Sequence, residues 1–404
     1  MPVWHEATAE WVKQGKLALL GVTQEQHADR CRLFAQWKAF NWPVLHDPIN
    51  VLDLFGVPLV VAIDEHGIVR SIDPQPASLA RDFLEKSFAN DAPPAPPRKT
   101  PKIAPERATP LFEDLKQAAR TVGTADAWRR YGDALVLWAG GGGINDALDA
   151  FDRARQGDAK NGPALFRLGV CYRLRYDSEG RRPGDFQAAI DAWNEALQLE
   201  PNRYIWRRRI QQYGPRLDQP YAFYDWVEKA RREITARGKK PVALAVPLVG
   251  AEIAQPVKQY SETKAEAAPP DPDGKIHRDE KNLIETESTV IPSRLRPGQA
   301  ARVQIVFQPN AQLKAHWNNE GTPLQMWVDA PPGWKLTRRL LTSTLPKEAE
   351  SNEGRTLDFE IQAPANGEGP IRLPVYALYN VCEDTGGKCL FLRKNIEIQI
   401  AVSK

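Results

Sequence analysis

Residues 375–392 read VYALYNVCEDTGGKCLFL. Val375–Val381 and Leu390–Leu392 are strand-like apolar runs on either side of Gly386-Gly387. Short apolar runs bounded by turn signals suit strands, and glycine pairs suit a tight turn because glycine adopts positive φ without steric cost. The stretch therefore reads as a β-hairpin, with Cys382 and Cys389 placed where their Cβ atoms come within disulfide distance. A structural staple and an exchanging redox pair both fit this spacing. Zinc fits less well, since neither a second cysteine pair nor a nearby histidine completes four ligands.

Apolar and polar positions alternate in several segments of the carboxy-terminal third, the pattern of strands with one buried face. Arg302–Phe307 sets Val303, Ile305 and Phe307 on one face, and Gln325–Val328, Thr356–Ile361 and Asn395–Val402 alternate as well. Pro297-Gly298, Pro331-Pro332-Gly333 and Asn366-Gly367 supply turns between them. Short strands spaced by turn signals predict an immunoglobulin-like β-sandwich over 282–404.

Upstream the periodicity changes. In 164–201, Leu165, Leu168, Gly169 and Tyr172, then Ala189, Trp193, Ala196 and Pro201, fall at helical spacing. Trp128, Tyr131, Gly132 and Leu135, followed by Ala147, Phe151 and Ala154, form a weaker copy. These are positions where tetratricopeptide repeats place packing residues, and the segment 108–238 resembles that repeat class. The resemblance implies binding of a protein partner. Gly140–Gly143 lies between two helices and reads as a flexible link; no Lys-Ser/Thr follows it, as a phosphate loop would require. Arg207-Arg208-Arg209 reads as a solvated helix face.

The first 88 residues alternate strand and helix: strands at Lys16–Thr23, Trp42–Asp47 and Leu59–Ile63, helices at Glu25–Phe40 and Ile49–Phe55, and a turn at Asp64–Gly67 before Ile68–Arg70. Proline cannot donate to a sheet ladder, so Pro58 opens its strand or stands at an irregular point. This order, with GVPLVVAIDEHGIVR, resembles the thioredoxin-like redoxins of the thiol-specific antioxidant type. The resemblance implies that Pro58 is a cis-proline and that Val57 lines a thiol-substrate groove. The family's first strand and its Cys-x-x-Cys do not occur in these residues, so the expectation is an incomplete thioredoxin-like α/β domain that starts inside the active-site helix. A domain that never carried those cysteines is the other reading. His5, His27, His46 and His66 lack metal-ligand spacing, and Cys31 reads as a buried helix residue.

From LRPGQAARVQIVF through HWNNEGTPLQMWVDAPPGW to the hairpin, the last segment is similar to the amino-terminal periplasmic domain of transmembrane thiol:disulfide interchange proteins. That resemblance implies that Cys382 and Cys389 are the redox pair; Leu390 stands where the family often has proline. It also implies a periplasmic, extracytoplasmic setting.

The sequence thus predicts a multidomain α+β chain: a thioredoxin-like domain at 1–88, a Pro-rich linker at 89–107, tetratricopeptide-like helices at 108–238, a linker at 239–281 and the β-sandwich at 282–404. Proline makes up 34 of 404 residues, above the usual ~5%, and seven of these fall within 89–110, where no core can form. An apolar piece, Val242–Val249, reads as a docked strand. The net charge of +3 makes no case for nucleic acid. Residues 107–240 carry 24 basic and 18 acidic groups, but the signs are mixed as on an ordinary helix surface. No run approaches a bilayer span, and Met1–Glu6 has no basic or apolar leader pattern. The expected function is thiol-disulfide exchange with thiol or disulfide proteins, without cofactor or metal. A binding scaffold with a structural disulfide is the alternative.

Overall fold

The computed structural model describes residues 2–89, 108–213, 222–248, 252, 268–383 and 388–403. They form a mixed α+β chain with several sheets. It divides into two compact units that interleave along the sequence: 1–174, 195–207 and 225–246 in one, and 175–194, 208–224 and 247–404 in the other. Residues 90–107 and 253–267, in the expected linkers, lie outside the described residues.

The first unit opens with α1 (Pro2–Lys13), β1 (Gly21–Thr23), α2 (Ala28–Trp37), β2 (Val44–His46), β3 (Val61–Ile63) and β4 (Val69–Ile72). β1 and β2 pair in parallel, β3 and β4 antiparallel, as two separate two-stranded sheets. Their apolar side chains Val22, Leu45, Val61, Ile63 and Val69 are exposed, and the local core is small, built on Ala62, Leu79 and Phe83. The Asp64–Gly67 turn forms as expected: the Asp64 carboxylate accepts from the backbone N–H of His66 and Ile68, and Gly67 takes φ +80°.

Ile49–Phe55 is not a helix. Asp47 accepts from the Val51 N–H and Asn50 from the Leu54 N–H, so side chains take the donors that a helix would use. Nor is 242–245 a strand: Val242 and Ala245 donate their N–H groups to the side chains of Gln36 and Asp29 on α2.

The helices are α3 (Ala108–Val122), α4 (Ala125–Trp138), α5 (Ile144–Gly157), α6 (Gly162–Tyr176), α7 (Asp185–Leu199), α8 (Tyr204–Tyr213) and α9 (Val227–Ala236). Local chemistry sets the α3–α4 break. Gly123 adopts φ +70° and its N–H bonds the Ala119 carbonyl, then the Thr124 hydroxyl accepts from Ala127 N–H as the α4 N-cap. Gly140–Gly143 is a 3₁₀ turn rather than a flexible link, and Gly143 is buried. Gly132 lets α4 approach α5: a Cβ there would stand 2.6 Å from the Phe151 ring. The arginine run is not a solvated face, because Arg209 is buried with its guanidinium 5.7 Å from the Trp193 ring centre.

The second unit contains β5 (Ile284–Ile291), β6 (Arg294–Leu295), β7 (Ala300–Pro309), β8 (Ala315–Asn318), β9 (Gln325–Val328), β10 (Lys335–Leu336), β11 (Leu340–Thr342), β12 (Glu350–Ser351), β13 (Arg355–Gln362), β14 (Gly369–Glu383) and β15 (Lys388–Val402). Among the described residues these make a four-stranded sheet, β10-β13-β7-β5, and a seven-stranded one, β11-β9-β14-β15-β6, with β8 on β14 and β12 on β8. Val303, Ile305, Phe307 and Phe359 from one sheet meet Trp317, Ala377, Tyr379, Val381 and Ile398 from the other in one buried core.

The free edge of β5 is covered by a side chain of α7. Gln187 Nε2 donates to the Val290 carbonyl at 3.0 Å and its Oε1 accepts from the Val290 N–H at 2.8 Å. The ordered unit also starts before residue 282. Asp271 binds Arg393 at 2.7 Å, and Arg393 N–H donates to the His277 carbonyl.

Candidate functional site

The hairpin is built from two fifteen-residue strands in continuous antiparallel register, from Gly369↔Val402 to Glu383↔Lys388. Cys382 and Cys389 are partners in that register and are joined by a disulfide. Val381 and Leu392 belong to the core, with Leu390 packed against it, so both cysteines point to the outer face of the sheet. The two are not equivalent there: Cys382 is only 1% exposed, whereas Cys389 is open to solvent.

β8 continues this row on the other side of β14. Its register sets Trp317 against Val381 and His316 against Cys382. Trp317 fills the core, which turns His316 to the outer face. His316, Cys382 and Cys389 therefore stand side by side on three adjacent strands. Glu350 of β12 places Oε2 3.5 Å from His316 Nε2. Glu383 is held by Lys281 at 2.9 Å and faces Lys388 across the hairpin. The 319–323 loop lies against the next residues of β14: Asn380 Nδ2 donates to Thr322 O at 3.0 Å, and a Cβ on Gly321 would sit 2.6 Å from that amide. Phe391, opposite Asn380, is 41% exposed and gives the cysteine pair an apolar border.

The other expected site residues belong to the first unit. The Val57–Pro58 peptide bond is cis, Val57 is 48% exposed, and both residues precede β3 instead of lying in it. Cys31 and Cys171 remain thiols; Cys31 is half-buried, not buried, and desolvation pushes its thiol pKa up. Among the described residues no group of three or more His, Cys, Asp or Glu side chains is placed to hold a metal, and no helix is long and apolar enough to cross a membrane.

No protein-family profile matches the chain, and no curated protein matches it. Solved structures give likenesses that are too slight to carry an argument. AvmM, which catalyses macrocyclisation in alchivemycin A biosynthesis, is 11% identical over 32% of this chain and 95% of its own, with TM-score 0.20. The sporulation control protein Spo0M of Bacillus subtilis is 10% identical over 30% of this chain and 50% of its own, with TM-score 0.16. AggA, the major subunit of type I aggregative adherence fimbriae of Escherichia coli, is 11% identical over 30% and 94%, with TM-score 0.18.

The sequence named both cysteines but assigned no role to His316. Outward alternation of His316 between Ala315 and Trp317 was visible; its partnership with Cys382, 66 positions away, depends on strand pairing.

Proposed function

We propose that this chain is an extracytoplasmic thiol-disulfide oxidoreductase that exchanges electrons with thiol or disulfide proteins at Cys382–Cys389. In this reading its helices bind a protein partner, and its amino-terminal segment is a degenerate redoxin domain in which Val57 and Pro58 border the groove. The observation that carries the proposal is the unequal exposure of the pair: Cys389 is an exposed residue and Cys382 a buried one. A staple adds little to strands already bonded through continuous register, and closing an eight-residue ring removes less chain entropy than the ~3 kcal/mol of a fifteen-residue loop.

The chemistry follows from that asymmetry. A partner thiolate attacks Cys389 Sγ, a partner–Cys389 disulfide forms, and the bond to Cys382 breaks with its electron pair leaving on Cys382 as thiolate. A second partner thiolate attacks the partner sulfur of that mixed disulfide and releases Cys389 as thiolate. The partner dithiol is oxidised to a disulfide and this pair is reduced; the reverse order reduces a partner disulfide.

The burial of Cys382 favours a second reading, a non-enzymatic binding scaffold with a structural disulfide. An exchange assay separates the two. The parent should reduce a small disulfide substrate under turnover with a reductant, and the Cys382→Ser, Cys389→Ser double variant should not. Equal rates would leave the scaffold reading standing.

A further inference from the structure

We propose that His316 stabilises the Cys382 thiolate when the pair is open, and so sets how readily the disulfide is reduced; this rests on the exchange reading above. Directly opposed residues of an antiparallel pair hold their Cβ atoms ~4.5–5.5 Å apart. His316 and Cys382 are such partners on the outer face, so His316 stands beside the buried cysteine on the strand away from Cys389. Cys382 is the leaving group when Cys389 is attacked, and its burial denies the new thiolate the hydration that an exposed sulfur would gain. A protonated imidazole beside it supplies the missing stabilisation, as a cation does for other low-pKa thiols.

The groups around the ring are few. Glu350, from β12, places its carboxylate 3.5 Å from Nε2. The Lys314 carbonyl lies 3.5 Å from Nδ1. Glu383 and Lys388 alternate to the opposite face of the sheet from Cys382 and Cys389, with Lys281 holding Glu383, so they do not compete for His316.

The test is equilibration of the full chain with reduced and oxidised glutathione across pH 6 to 9, in the parent and three variants. His316→Gln should shift the dithiol–disulfide equilibrium about tenfold toward the disulfide at the acid end, or about 30 mV, with the difference narrowing as pH rises. His316→Lys should stay near the parent at the acid end and lose that pH dependence. Glu350→Gln, at a side chain that is two-thirds exposed, should shift in the same direction by less. Pairs that exchange normally, with His316→Gln and Glu350→Gln both matching the parent at every pH, would overturn the role of His316. A parent pair that never exchanges with glutathione would instead overturn the exchange reading itself.

Discussion

Cys389 is exposed while Cys382, its partner in register and in the disulfide, is buried although it lies on the same outer face of the sheet. The two thiols should therefore differ when each is left alone. In the Cys382→Ser variant, Cys389 should trap a thiol-reactive partner as a mixed disulfide. Cys382 in the Cys389→Ser variant should react far more slowly. Stopped-flow labelling with an aromatic disulfide reagent, corrected by the double variant for Cys31 and Cys171, measures both rates. Equal rates would remove Cys389 as the point of attack.

Gln187 should matter more than its place on a helix surface suggests. Replacing it with Ala removes the side chain that satisfies both backbone groups of Val290 on the edge strand β5. Loss of such bonds costs about 1–3 kcal/mol where the groups stay shielded. Chemical denaturation of Gln187→Ala against the parent gives the value, and an unchanged midpoint would mean that water replaces the amide without cost.

Gly132→Ala tests the helix packing. The added Cβ would stand 2.6–2.9 Å from three Phe151 ring carbons, and Phe151 is fully buried, so the ring has no free space to take. Overpacking of this kind costs about 1–3 kcal/mol. The readout is loss of helical circular dichroism on heating, at a lower temperature in the variant.

How much of this was legible in the sequence depends on the range of the interaction. The hairpin strands and the Asp64 turn rest on neighbours in the chain, and residue types alone announce such local features. The burial of Arg209 was hidden because an arginine run reads as solvent-facing until Trp193 comes beneath one member. Gly140–Gly143 was misread because glycine permits flexibility without requiring it. The residue beside Cys382 was invisible for a third reason: β8 and β14 are joined by register, and alternation fixes which face a side chain takes but not which strand lies next to it.

Asp271 gives an acid-sensitive contribution. Burial raises its pKa, but hydrogen bonds from Arg393 and from the Lys275 and Ile276 N–H groups outweigh this and hold the carboxyl below its usual range. A pKa that is lower in the folded state stabilises the fold above the unfolded value of ~3.9 and loses that effect as pH falls through the lower folded value. The parent should therefore be more stable than Asp271→Asn at neutral pH, and the gap should close below about pH 4. Melting temperatures of both proteins from pH 2 to 7 check this; a constant gap would assign the effect to hydrogen bonding alone.

The central claim is that Cys382–Cys389 exchanges electrons, and its reduction potential tests that claim most directly. The full chain is equilibrated in a graded glutathione or dithiothreitol buffer, quenched with a thiol alkylator, and the fraction reduced is read by mass spectrometry of the peptide that carries both cysteines. A working pair should titrate above about −300 mV, within reach of protein dithiols, whereas a disulfide that serves only to hold the strands should resist reduction to potentials below it.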